Sequence, residues 1–232
     1  RRLARPLGRL IHWQLSRLPM PELRTPQPAR HPDPTVKARR LAYLIWERPD
    51  LERAEHFLRA FGLTVAHRTP TAIYLRGTAA APYCYLVRKA PRARFAGFAL
   101  EVSSRDALAR LAACVPGAAA IEQLDGPGGG EVLRLVDPSG FCVEAVHGQQ
   151  SFAALPQREP IACFNTGAAR PRVDRTQRVP CTAPEVVKLG HVVLELADFQ
   201  ATCGWYTRHF GFIPSDVQVL PDGSPAVAFM RL

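Results

Sequence analysis

The chain has 232 residues, 47% of them hydrophobic and 22% charged, and a formal net charge of +10. These are globular proportions, and no run of about 18 apolar residues is present to cross a membrane as a helix. The first 40 residues hold ten Lys or Arg against Glu22 and Asp33, a surplus of eight, which leaves two for the other 192. A nucleic-acid surface would need a basic folded face with stacking aromatics or a recognisable motif, and neither is present, so no nucleic-acid partner is expected.

Six cysteines, at 84, 114, 142, 163, 181 and 203, occur without a CxxC pair. Cys84, Cys114 and Cys142 sit in apolar runs, which favours free buried thiols in a reducing compartment over disulfides or a zinc knuckle. The cytoplasm is the expected location, with no membrane partner. The chain opens on Arg1 rather than Met, so a targeting segment ahead of it is left open.

In chain order, Leu3, Leu7, Ile11, Leu15 and Leu18 stand at helical spacing between arginines. A basic amphipathic helix packed on the body or on a partner subunit is favoured over a membrane-surface helix or an organelle presequence. Six prolines from Pro19 to Pro34 then break regular structure, so residues 1–37 read as a basic, proline-rich arm.

A first domain is expected over 38–148. It reads as strand Leu41–Glu47 and a helix Leu51–Phe61 with Leu51, Ala54, Phe57, Leu58 and Phe61 as its apolar stripe. Strands Thr64–Arg68, Ala72–Arg76 and Tyr83–Val87 follow, making a βαβββ unit. A second unit repeats the order: strand Phe95–Val102, a helix capped by Ser103 or Ser104, then strands near 119–123, 131–136 and 141–147. Asp137-Pro138-Ser139-Gly140 has the residues of a type I turn. Gly128-Gly129-Gly130 is not a phosphate loop, because no helix follows it.

Residues 149–186, with five prolines and five arginines between Gln149 and Glu185, read as a linker. Beyond it the first unit's wording returns. Setting 41–63 under the later stretch aligns Tyr43 with His191, Asp50 with Asp198, and Phe61-Gly62-Leu63 with Phe210-Gly211-Phe212 after a one-residue gap. A repeat at that distance suits a duplicated domain. Strand Leu189–Leu196 would place His191, Val193 and Glu195 on one face and Val192, Leu194 and Leu196 on the other. Helix Phe199–Phe210 and strands Ile213–Leu220 and Ala226–Arg231 follow, so 187–232 reads as the first half of a second domain, cut short at its C-terminal side.

The paired βαβββ units, the LGHVVLE strand and the DPSGFCVE turn-strand resemble the vicinal oxygen chelate superfamily, and within it two-domain extradiol ring-cleaving dioxygenases. The resemblance implies an α+β fold in which paired βαβββ units form a cupped, half-open barrel: here one complete domain plus half of a second. It implies a non-haem Fe(II), or Mn(II) in some members, held in the second domain by a His on the first strand, a His on the first strand of the next unit and a Glu on the last strand. Transferred residue by residue, only His191 falls inside the chain. The other two ligands and the acid-base histidine would lie past Leu232, so the metal and the activity are expected of a full-length parent and not of this chain alone.

The equivalent positions of the first domain are Tyr43, Gly97 and Glu144. One carboxylate cannot hold Fe(II) where a two-His, one-carboxylate face is needed, so that domain is expected to be a metal-free copy with Glu144 as a residual or supporting acid. The implied partners are a small aromatic diol and O2, and a homo-oligomer is expected because an open half-barrel leaves a sheet edge unprotected. Two alternatives remain beside the dioxygenase: a glyoxalase-like metal isomerase, and a non-catalytic binding protein of the same fold. His12, His31, His56, His67, His147 and His209 lack site-like spacing and are expected at the surface or in caps, with Trp205 and Tyr206 as packing residues.

Overall fold

The computed structural model describes residues 28–158, 165–170 and 181–232. The expected N-terminal helix, Cys163 and parts of the linker lie outside these residues. The first unit comprises β1 (Arg40–Arg48), α1 (Leu51–Ala60), β2 (Thr64–Arg68), β3 (Ala72–Arg76) and β4 (Tyr85–Lys89). The second comprises β5 (Arg94–Glu101), α2 (Arg105–Cys114), β6 (Ile121–Gln123), β7 (Glu131–Val136) and β8 (Cys142–His147). After the linker come α3 (Phe199–Phe210), β9 (Ile213–Val219) and β10 (Pro225–Arg231).

Helix starts follow their caps. Asp50 accepts from the Arg53 amide, Ser104 from Ala107 and Asp198 from Ala201, so the two aspartates matched by the repeat do the same work. Gly211 ends α3 at φ 70°, where a residue without Cβ is favoured.

The first two units build one curved, open eight-stranded sheet in the order β2-β3-β4-β1-β5-β8-β7-β6. Each unit folds its last strand parallel against its first, and the units join through the antiparallel pair β1–β5, which gives the sheet a pseudo-twofold arrangement. The fold is α+β, as expected.

Side chains alternate between two layers. One sheet face packs Leu44, Phe98, Leu100, Val143 and Ala145 against Leu108 and Leu111 of α2 and against Tyr206 and Phe210 of α3. Leu51 and Leu58 of α1 pack on Ile73, Leu75 and Val87 of the same sheet. The other face carries Tyr43, Ile45, Leu86, Ala99, Val132 and Val146.

Helix α3 is thus held on the first two units, and two further contacts fix it there. The Tyr206 hydroxyl donates to Asp137 Oδ2 at 2.7 Å, and Ser139 Oγ meets Thr202 Oγ1 at 2.8 Å. The Asp137–Gly140 turn forms as expected, with Gly140 N donating to the Asp137 carbonyl, and it doubles as the dock for α3. Amides of Thr35, Val36 and Ala38 donate to the carbonyls of Arg208, His209 and Phe210, so the arm closes the end of the helix.

Four expectations need correction. Residues 189–196 form no strand: β1 is held on its two edges by β4 and β5, and the later stretch has no such partners among the described residues. Its backbone is tied instead just upstream, where Thr78 and Ala79 amides donate to the Val186 and Val187 carbonyls. Phe57 and Phe61 are exposed at 64% and 59%, because the core side of α1 is the Leu51, Ala54 and Leu58 line and the two rings stack beside it in solvent. Cys114 ends α2 in solvent, while Cys84 is buried. His209 is buried, seated between the arm and Trp205.

Candidate functional site

The position that the repeat marks can be read first on β1, whose neighbouring strands β4 and β5 are both described. Tyr43 on β1 stands opposite Ala99 on β5, and Ala99 stands opposite Glu144 on β8. The small alanine between them lets the Tyr43 ring cross one strand, and its hydroxyl donates to Glu144 Oε2 at 2.5 Å. The sheet therefore brings the first-strand and last-strand positions of paired units into contact.

That place is filled by charge from the protein itself. Glu144 is 0% exposed, and its Oε1 accepts from Arg88 Nη2 at 2.9 Å and from Arg134 Nε at 3.2 Å. Two guanidiniums and a phenol satisfy the carboxylate, as burial of a charge requires. Burial, reinforced by the neighbouring Glu144 charge, raises the Tyr43 phenol well above its ordinary range, so it stays a proton donor.

The third position, Gly97, admits no side chain. Its φ is 155°, and a Cβ there would stand 1.8 Å from the Cys142 carbonyl oxygen. These residues do not fit a divalent metal: they offer one carboxylate already bound by two cations, and no imidazole.

His191 lies in the linking stretch ahead of α3. Although no strand forms, the faces expected of one persist: Val192 and Leu194 pack on the core, while His191, Val193 and Glu195 are exposed, Val193 to 81%. His191 lines two adjoining cavities. One, of about 510 Å³, lies between residues 188–192, Phe98 and Leu100 of β5, and Met230 and Arg231 of β10. The other, of about 490 Å³, lies between residues 191–196, α3 and the β9–β10 hairpin, and is walled by Phe199, Tyr206, Phe212 and Phe229.

Among the described residues no Asp or Glu side chain lines either cavity. Among the described residues no three His, Cys, Asp or Glu side chains are grouped closely enough to hold a metal ion. His191 supplies one imidazole and the rest of a facial triad is not beside it, so the described residues do not fit Fe(II) or Mn(II) on their own.

The structure thus joins Tyr43 to Glu144, places Gly97 in the neighbouring row opposite Cys142, and sets His191 apart from all three. Reading by position overlooked Arg88 and Arg134. The available signal was strand alternation: Arg88 shares a face with Leu86, and Arg134 with Val132, so both point to the side on which Glu144 needs a counter-charge. Tyr206, expected only to pack, also lines the second cavity beside His191.

No protein-family model matches the chain, and no curated protein matches it. Solved structures do. Homoprotocatechuate 2,3-dioxygenase from B. fuscum, a substituted form in complex with HPCA, superposes with a TM-score of 0.67 at 20% identity over 89% of this chain and 54% of that one. A room-temperature structure of an extradiol ring-cleaving dioxygenase from B. fuscum gives 0.66 at 20% identity over 88% and 53%. The Mn(II)-bound glyoxalase from Novosphingobium aromaticivorans gives 0.61 at 21% over 78% and 56%. The chain spans about half the length of each of these proteins. No helix among the described residues is long and apolar enough to cross a membrane. Its eight-stranded sheet of paired βαβββ units gives this chain the fold of the vicinal oxygen chelate superfamily.

Proposed function

We propose that this chain carries the metal-free half and the first metal histidine of an extradiol-type aromatic-ring dioxygenase. In this reading 38–148 is the metal-free domain, 149–186 the linker, and 187–232 the start of the metal-type domain. His191 is one ligand of an Fe(II) or Mn(II) site whose other ligands lie outside the described residues. The substrate is a small aromatic diol, cleaved with O2.

The observation that carries the reading is the Tyr43–Glu144 contact. It places the first-strand position of one unit next to the last-strand carboxylate of its partner unit, so a histidine at the repeated position, 191, would stand beside such a carboxylate in a completed second domain. Two neutral imidazoles and one carboxylate leave open adjacent sites on a metal for a catecholate and O2. The likeness to extradiol dioxygenases supports the class.

The test is iron content and O2 uptake on a panel of catechols, measured on this chain and on a version extended by its natural downstream sequence. Metal binding and O2 uptake only in the extended protein, both lost on His191→Ala, support the proposal. Metal binding without O2 uptake moves the reading to a metal isomerase, for which the glyoxalase likeness is the ground. No metal in either protein makes the chain a binding protein of this fold.

A further inference from the structure

The stretch that carries His191 is seated on the loop 77–80, between β3 and β4. The amides of Thr78 and Ala79 donate to the Val186 and Val187 carbonyls at 2.9 and 3.0 Å, and the Val186 amide donates to the Gly62 carbonyl at 3.2 Å. The loop is itself braced. Buried Arg76 donates from Nη2 to the carbonyls of Ala79 and Ala153, both at 2.8 Å, and from Nε to the Gly77 carbonyl at 3.3 Å. On its other side the Phe152 and Leu155 amides donate to the Ala80 and Thr78 carbonyls. Gly77 is the point of closest approach. A Cβ there would overlap the Val187 carbonyl oxygen and stand 2.7 Å from that of Val186, the two oxygens that accept from Ala79 and Thr78. The Gly77 backbone is not left-handed, unlike that of Gly62 at φ 107°, so the requirement for glycine at 77 comes from this contact alone.

We infer that Gly77 is a positioning residue for His191: by letting residues 186 and 187 seat on the loop, it fixes the register of the stretch that follows. Beyond the seat, Leu189, Val192 and Leu194 pack on the core while His191 and Val193 are exposed. In an extended chain a slip of one residue exchanges the inward and outward sets. The seat at 186–187 therefore decides that position 191 faces outward and position 192 inward. A methyl group at 77 pushes both carbonyls off their donors, and the apolar anchors downstream are then free to slide. The role of His191 as a ligand rests on the dioxygenase reading; the seat itself does not.

The test uses the chain without metal. In NMR spectra the His191 imidazole, identified by its loss in His191→Gln, and the methyl groups of Val192 and Leu194 report on the stretch, while the methyl groups of Leu108 and Leu111 report on α2 against the sheet. Gly77→Ala is expected to shift or broaden the first set and leave the second in place. Thr78→Val keeps the amide and removes a buried hydroxyl that has no hydrogen-bond partner, so it should leave both sets unchanged. A second measurement does not need the variant to fold: in the unaltered chain the Thr78 and Ala79 amides should exchange at least about tenfold more slowly than free amides. Unprotected Thr78 and Ala79 amides, unchanged His191, Val192 and Leu194 signals in a folded Gly77→Ala protein, or equal changes in both sets overturn the inference. Iron content and O2 uptake decide the ligand role and these signals decide the seat, so the two readings fail separately.

Discussion

The Tyr43 hydroxyl and the Glu144 carboxylate meet at 2.5 Å across an intervening strand, with only the methyl of Ala99 between them in the row. Arg88 and Arg134 complete the shell of Glu144 from β4 and β7, so four strands of the sheet converge on one buried carboxylate. Removing the carboxylate leaves two guanidiniums and a phenol without their acceptor. Both arginine side chains are 37% exposed and can recover some hydration, which places the expected loss toward the lower end for a broken buried pair. Glu144→Ala should cost about 3 kcal/mol in urea unfolding, and Tyr43→Phe, which removes one neutral donor, about 1 to 2 kcal/mol. A Glu144→Ala protein as stable as the parent would show that the cluster contributes nothing.

Gly97 is fixed by its surroundings. A methyl group at this position would overlap the Cys142 carbonyl on the adjacent parallel strand, and φ of 155° is itself unfavourable for an L side chain. Relief requires β5 and β8 to part in the centre of the sheet. Gly97→Ala should therefore destabilise the protein by on the order of 3 kcal/mol, and the same barrier keeps a histidine ligand out of this position. Thermal unfolding of the alanine variant checks the first point.

Much of the fold was legible because the signals were local. Each helix begins at an Asp or Ser cap, and Gly62 and Gly211 mark where α1 and α3 stop. Strand periodicity located all eight strands of the sheet to within a few residues. What was misread depended on partners. Residues 189–196 have the alternation of a strand, but a strand exists only when another backbone receives its hydrogen bonds. Phe57 and Phe61 fall within the apolar spacing of α1, yet one side of a helix is chosen by what lies beneath it, and Leu51 and Leu58 already filled that space. In the site, Glu144 could be found from its motif, whereas Arg88 and Arg134 come from strands that only the folded sheet brings together.

Tyr206 ties α3 to the turn after β7. Burial, then the Asp137 charge, raises its phenol far above the ordinary range, so the hydroxyl keeps its proton and donates to Asp137 Oδ2. Asp137 Oδ1 meanwhile accepts from the amides of Ser139 and Phe141. Tyr206→Phe removes the anchor between α3 and the turn after β7 while leaving the turn bonded, and should cost about 1 to 3 kcal/mol. Hydrogen exchange should speed up in α3 first, with β5 and β8 retaining their protection. Uniform acceleration across the sheet would mean that α3 and the sheet open as a single unit.

His209 gives the arm's contact with α3 a pH dependence. Its Nδ1 lies 3.2 Å from Thr35 Oγ1, and its ring is packed against Trp205. Burial lowers its pKa below the ordinary 6.5, and the positive charges of Arg208 and His31 act in the same direction. The unfolded chain therefore takes up a proton more readily than the folded one as pH falls through the ordinary histidine value. The contribution of His209 is fully present above about pH 7.5 and is lost as pH falls through 6.5 toward the lower folded value. Melting temperature should decline from pH 8 to pH 5, and His209→Gln should flatten that part of the curve while leaving carboxylate titration below pH 5 in place. An unchanged slope in the glutamine variant would assign the decline to other groups and remove His209 from the account of how the arm is held.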